Sequence, residues 1–162
     1  MSEHRIEVVV NGQAHAAQVE SRLTLGDFLR TEVGCTGVHL ACEHGVCGAC
    51  TIMLDGKAVR ACLMLAVQAD GARITTVEGL AAPDGTLHPV QQALRDEHAL
   101  QCGFCTPGVV MTFAALTQGP EQSSAQALQD ALSGHICRCT GYQGRKRAAR
   151  RLGAATTSGA PA

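Results

Sequence analysis

Aromatic side chains are almost missing from this chain: its 162 residues include no Trp, one Tyr and three Phe. A surface that stacks nucleic-acid bases needs such rings, and a net charge of -1 gives little general attraction for phosphate, so no nucleic-acid partner is expected. No apolar run reaches the ~18 residues of a membrane-crossing helix, so no membrane span is expected either. The leading segment MSEHRIEVVV has no basic stretch followed by a long apolar one and no twin arginine, which points to a cytoplasmic protein. No Ser-His-Asp set or carboxylate pair can be assembled, so no catalytic side chain is assigned.

Cysteine, by contrast, is plentiful. There are nine, an odd number that disfavours a disulfide framework. Eight of them form two tetrads: Cys42, Cys47, Cys50 with Cys62, and Cys102, Cys105 with Cys137 and Cys139. The first tetrad has the C-x4-C-x2-C spacing plus a distant fourth cysteine that plant-type [2Fe-2S] proteins use, whereas structural zinc usually takes paired short knuckles. Gly45 and Gly48 lie between its ligands and Gly103 within the second set, where a side chain would hinder a backbone that turns its N–H groups toward anionic sulfur. Cys102-x2-Cys105 by itself is a weak signal, shared with zinc and redox dithiol sites, but a thioredoxin-like site would need a βαβ context that is missing. The ninth, Cys35, reads as a buried thiol, and His39 and His44 as loop or surface residues. Met53, Met64 and Met111 read as core filler.

Local signals give the fold. Ile6 to Val10 and Gln13 to Val19 flank Asn11-Gly12, and Thr51 to Leu54 and Lys57 to Ala61 flank Asp55-Gly56, each a hairpin with a type I′ turn. The second hairpin would return Cys62 beside Cys50. Thr24 is a candidate cap for a short helix with Leu25, Phe28 and Leu29 on one face. Beyond Ala82-Pro83-Asp84-Gly85 the pattern turns helical, with faces at Val90, Ala93, Leu94; Val109, Val110, Phe113, Leu116; and Ala125, Leu128, Ala131, Leu132. Pro89 and Pro107 open helices, Pro120 separates two, Ser133-Gly134 closes one, and a last helix is expected over 143–152. The 31 residues between Cys105 and Cys137 suit an antiparallel helical pair whose tips meet. The expected class is α+β: a β-grasp, plant-type ferredoxin-like domain over 1–78, a four-helix bundle carrying the second [2Fe-2S] site over 79–152, and a disordered tail over 153–162.

Charge is uneven along the chain. Six of the thirteen basic residues (Arg138, Arg145, Lys146, Arg147, Arg150, Arg151) follow the last acidic residue, Asp130, and read as a solvated helix face or a contact with a partner.

The strings CEHGVCGACTIMLDG, QCGFCTPG and CRCTGY resemble the signature segments of the small iron-sulfur subunit of the xanthine oxidase (molybdenum hydroxylase) family, to which the carbon monoxide dehydrogenase small subunit also belongs. The resemblance covers about residues 3–150. It implies an electron-transfer subunit with two [2Fe-2S] clusters, the Cys42/Cys47/Cys50/Cys62 centre nearer a flavin and the Cys102/Cys105/Cys137/Cys139 centre nearer a molybdenum cofactor. It also implies that Gln101 and Cys139 contact molybdopterin. The implied partners are a large molybdopterin-binding subunit and a medium FAD-binding subunit, as a dimer of heterotrimers, with substrate chemistry on a partner chain. Four positions depart from the family's usual pattern: Ala41 in place of a glycine, His135 in place of an asparagine, and the pair Gly144-Arg145 in place of a more apolar one. A stand-alone two-cluster ferredoxin and a zinc-stapled interaction module are the alternatives.

Overall fold

The computed structural model describes residues 3–118 and 124–157. Strands β1 (Glu3–Val10) and β2 (Gln13–Glu20) form the first hairpin, with Asn11 and Gly12 at φ 51° and 83° as a type I′ turn demands. From Arg5 onward β1 alternates: Ile6, Val8 and Val10 face the core, while Arg5 and Glu7 face water. β3 (Thr51–Leu54) and β4 (Lys57–Arg60) form the second hairpin across Asp55-Gly56, at φ 48° and 79°. Helix α1 (Leu25–Thr31) packs Leu25, Phe28 and Leu29 onto this core, and Thr24 caps it by accepting the Asp27 N–H.

A fifth strand, β5 (Arg73–Thr75), was not anticipated from the sequence. It runs parallel to β1 and antiparallel to β3, and so joins the two hairpins into one sheet of order β2-β1-β5-β3-β4. Three residues are too few for an alternating pattern to register, and pairing on both sides supplies what propensity does not. Asn11 fixes the exit from β5: its side-chain oxygen accepts the Thr76 N–H and its amide donates to the Thr76 hydroxyl, both at 2.9 Å.

Among the described residues four α-helices follow: α2 (Pro89–Asp96), α3 (Thr106–Gln118), α4 (Ala125–Ala131) and α5 (Gln143–Thr157). Val90 and Leu94 of α2, Val109 and Phe113 of α3, Leu128 of α4 and Ala148 and Ala149 of α5 share a second core. Pro89 opens α2 as expected, while Pro120 lies outside the described residues. α5 continues past Leu152 to Thr157, so 153–157 are helical where a tail was expected. The reason is a close crossing: the bare Cα of Gly153 lies against the start of α4, where a Cβ would come within 2.3 Å of the Ala125 nitrogen. The expected tail residues 158–162 lie outside the described residues.

Met53 of β3 meets Met111 and Ala114 of α3 in a small third core at the seam between sheet and helices. Met53 and Met111 are buried there and Met64 packs against the first core, as core filler should. Among the described residues no helix is long and apolar enough to cross a membrane.

Candidate metal centres

The first cysteine set is built by a loop that local chemistry bends tightly. Between Ala41 and Cys50 the backbone is left-handed at Glu43, Gly45 and Gly48. Only glycine fits at Gly48, where φ is +79° and a Cβ would come within 2.4 Å of the Gly134 carbonyl oxygen. These turns aim N–H groups inward: Cys47 N–H donates to the Cys42 sulfur at 3.4 Å, and with the His44 N–H it holds the Cys42 thiol down at about 6. On the opposite side the second hairpin does what its turn promised. Ala61 N–H bonds the Cys50 carbonyl at 3.3 Å, and the 3-10 turn Ala61–Leu63 sets Cys62 beside Cys50. Burial pushes the Cys50 thiol up to about 11. Gly45 lies under the Leu63 side chain.

The second set gathers where α3 begins and where the chain enters α5. Cys105 is buried at the head of α3, after a turn at Gly103 (φ +83°) closed by a 3.0 Å bond from Thr106 N–H to the Gly103 carbonyl. Cys102 and Cys139 are exposed, with their sulfurs 3.4 Å apart. Burial raises the Cys137 thiol, but the Thr140 hydroxyl and amide, at 3.2 and 3.5 Å, outweigh it and bring the thiol to about 6. Burial lifts Cys105 too, opposed by Arg145, whose guanidinium donates to the Cys105 sulfur at 2.8 Å.

Several supporting residues escaped the sequence reading. Tyr142, at φ 63°, accepts the Cys137 N–H on its hydroxyl at 2.7 Å and donates to the His135 carbonyl at 3.2 Å. The signal available was that the chain's one tyrosine stands three residues past the last cysteine. Tyr142→Phe is expected to orphan the half-buried Cys137 N–H and destabilise the protein by about 1–3 kcal/mol, readable as a lowered thermal midpoint. An unchanged midpoint would remove Tyr142 from this role. Arg145 is a correction as well: grouped with a solvated basic face, it is instead the bulkiest fully buried side chain. Arg147 and Arg151 pair with Glu97 and Asp96 and fasten α5 to α2.

The two sets adjoin. Ile136 N–H donates to the Cys47 carbonyl at 3.0 Å, a direct bond between the two cysteine loops. Arg60 of β4 reaches the Gly134 carbonyl at 2.8 Å and also bonds the Thr51 hydroxyl. His135 is buried between them, bonded to the Thr112 hydroxyl at 2.8 Å. Burial, with Arg60 and Arg145 nearby, pushes its pKa down to about 4, so it is neutral near pH 7. His39, read as a loop or surface residue, is half-buried in a loop, where it stacks on Phe104 at 4.6 Å and bonds its carbonyl, another tie across the seam. His44 is exposed as expected, and Cys35 is buried against the Asn11 amide. Gln101 is exposed next to Cys102.

Within each tetrad the thiols associate in twos: Cys42 with Cys47, Cys50 with Cys62, Cys102 with Cys139, Cys105 with Cys137. Among the described residues no three Cys, His, Asp or Glu are disposed to share one metal ion. Two irons per tetrad, each taking two thiolates, suit this grouping better than one tetrahedral zinc. The N–H and guanidinium donors on the sulfurs are those an anionic iron-sulfur cluster would use.

Comparison with known proteins agrees. A family model described as "2Fe-2S iron-sulfur cluster binding domain" matches residues 8–81, and one described as "[2Fe-2S] binding domain" matches 76–150. The chain is 56% identical over 146 residues to caffeine dehydrogenase subunit gamma of Pseudomonas sp. (strain CBB1), covering 88% of this chain and 87% of that one. It is 52% identical over 138 residues to the nicotine 6-hydroxylase small subunit of Paenarthrobacter nicotinovorans, covering 85% and 82%. The crystal structure of quinoline 2-oxidoreductase from Pseudomonas putida 86 superposes with a TM-score of 0.85 at 43% identity, over 97% of this chain and 98% of that one. With both [2Fe-2S] family models matched in turn along the chain and 56% identity over 88% of its length, the chain belongs to the small iron-sulfur subunits of the xanthine oxidase (molybdenum hydroxylase) family.

Proposed function

We propose that this chain is the electron-conducting subunit of a heteromeric molybdenum-flavin oxidoreductase, with Cys42, Cys47, Cys50 and Cys62 holding one [2Fe-2S] cluster and Cys102, Cys105, Cys137 and Cys139 the other. The observation that carries this reading is the 3.0 Å bond from Ile136 N–H to the Cys47 carbonyl: a ligand of one tetrad and the neighbour of a ligand of the other are joined through a single hydrogen bond. When bound, a [2Fe-2S] cluster exchanges one electron at a time, so two in series drain a two-electron donor stepwise.

The chain's own residues prepare that role. Cys50, Cys62 and Cys105 are buried and keep water from one side of each tetrad, while Cys102 and Cys139 reach the surface. Leu100, Phe104 and Ile136 stand exposed around the second tetrad, and Val46 and Leu63 around the first. Exposed apolar side chains beside both tetrads favour a subunit covered by partners over a free-standing ferredoxin. The partners are a large molybdopterin-binding chain at the Cys102/Cys139 end, touched by Gln101 and Cys139, and a medium FAD-binding chain at the Cys42 end. Gly45, Gly48 and Gly103 give the sulfur-facing turns their room. The same reading divides the chain into a β-grasp ferredoxin-like domain over 1–78 and a four-helix bundle over 79–152, within a cytoplasmic dimer of heterotrimers. Two of the relatives are subunits of enzymes named for caffeine and nicotine, which makes an N-heterocycle the substrate class to try first.

Protein purified from its native source is expected to be red-brown, to carry about four irons per chain, and to bring with it a flavin chain and a larger molybdopterin chain. A stable monomer without partners would favour the ferredoxin, and colourless zinc protein would end the reading.

A further inference from the structure

Arg145 has an environment unusual for a guanidinium. It is 1% exposed, on the first turn of α5. Its Nη2 donates to the Cys105 sulfur at 2.8 Å, its Nε to the Ala99 carbonyl at 3.3 Å, and its Nη1 is buried with no partner. The Tyr142 ring lies 5.8 Å from its Cζ. Among the described residues it joins no ion pair; the carboxylates that α5 engages, Glu97 and Asp96, bind Arg147 and Arg151 instead. An arginine cannot shed its proton, and a buried cation without an anion is strongly disfavoured. Nη2 already points at a sulfur of the second tetrad, so an anionic group held there would supply the missing partner.

We propose that Arg145 is a buried counter-ion of the second [2Fe-2S] cluster and biases it toward its reduced state. The proposal rests on the assignment of that tetrad made above. Four thiolates leave such a cluster anionic when oxidised. Each electron received from the molybdenum side adds one negative charge, with no bond made or broken. A fixed positive charge on a ligand sulfur stabilises the more negative state more, because the site is shielded from water and the interaction is little screened. Among the described residues no arginine is bonded to a sulfur of the first tetrad: the Cys42 sulfur accepts from the Cys47 N–H, and Arg60 bonds the Thr51 hydroxyl and the Gly134 carbonyl. A single side chain thereby separates the two potentials within one chain.

The test is a mediated redox titration of the whole complex, followed by the paramagnetic signals of the two reduced clusters, on wild type, Arg145→Met and Arg145→Lys. Wild type showing about four irons per chain and two signals establishes the assignment independently of the variants. In Arg145→Met the second cluster's reduction equilibrium is expected to weaken at least tenfold, a fall of about 59 mV for a one-electron couple, while the first stays put. Arg145→Lys, which keeps the charge, is expected to remain near wild type. An unmoved second midpoint in Arg145→Met, an equal shift of both clusters, or a lysine variant that shifts as far as the methionine one would overturn the proposal. Should Arg145→Met lose the second cluster altogether, the lysine variant decides. Loading at the wild-type midpoint supports the counter-ion, and an empty second tetrad reduces Arg145 to a packing residue.

Discussion

Cys139→Ala is expected to halve the bound iron, from about four to about two atoms per chain, and to abolish one of the two paramagnetic signals of the reduced protein while leaving the other. The selectivity follows from where the ligands come from. Cys139 is exposed, with its sulfur 3.4 Å from that of Cys102, so its loss removes a proposed ligand without opening a cavity in a core. The first tetrad is assembled from the 41–50 loop and the β3-β4 hairpin, and none of its sulfurs touches Cys139. Cys47→Ala is expected to do the reverse, since its carbonyl, which receives the Ile136 N–H, is untouched by the substitution. Iron analysis and low-temperature spectra of the two variants check this. Loss of both signals from either variant, or of neither, would contradict the grouping of ligands.

Gly108→Ala is the second large effect, and here two forces oppose each other. Gly108 lies in the first turns of α3, where alanine would ordinarily stabilise a helix by about 1 kcal/mol. Yet its Cβ would stand 2.1 Å from the Gly48 carbonyl oxygen and 3.0 Å from that of Ala49. Both are backbone atoms, and Gly48 O is already held by the Thr51 N–H at 3.2 Å and hydroxyl at 2.6 Å. Nothing flexible can yield, so α3 must lift off the loop that carries Cys47 and Cys50. The clash outweighs propensity, and a net loss of about 3 kcal/mol is expected, with weakened retention of iron in the first tetrad. Thermal unfolding and iron release report it. A variant as stable as the parent would show that the seam between sheet and helices is looser than this contact implies.

Both results depend on a junction that is nearly invisible in the sequence. Gly108 and Gly48 are far apart in the chain, as are Ile136 and Cys47, and no pattern within a few residues announces that they touch. β5 went unseen for a related reason: three residues carry no periodicity, and the strand exists because β1 and β3 pair with it from either side. Arg145 was misplaced because a run of basic residues reads as a wet surface unless the neighbours of each are known. Arg147 and Arg151 do occupy that surface, while the helical turn carries Arg145 inward to Cys105.

What the sequence determined alone is whatever lies within the reach of a short backbone segment. The spacing of the cysteines, the two type I′ turns, the Thr24 cap and the apolar faces of the helices are all encoded by neighbours, because turn geometry, capping and helical period are local properties. Tertiary structure decided the rest: how the thiols come together, which cation is buried against a cysteine sulfur, and how closely the two loops approach. Those contacts arise when two cores pack against each other, and burial and Coulomb energies depend on neighbours that no short stretch of sequence contains.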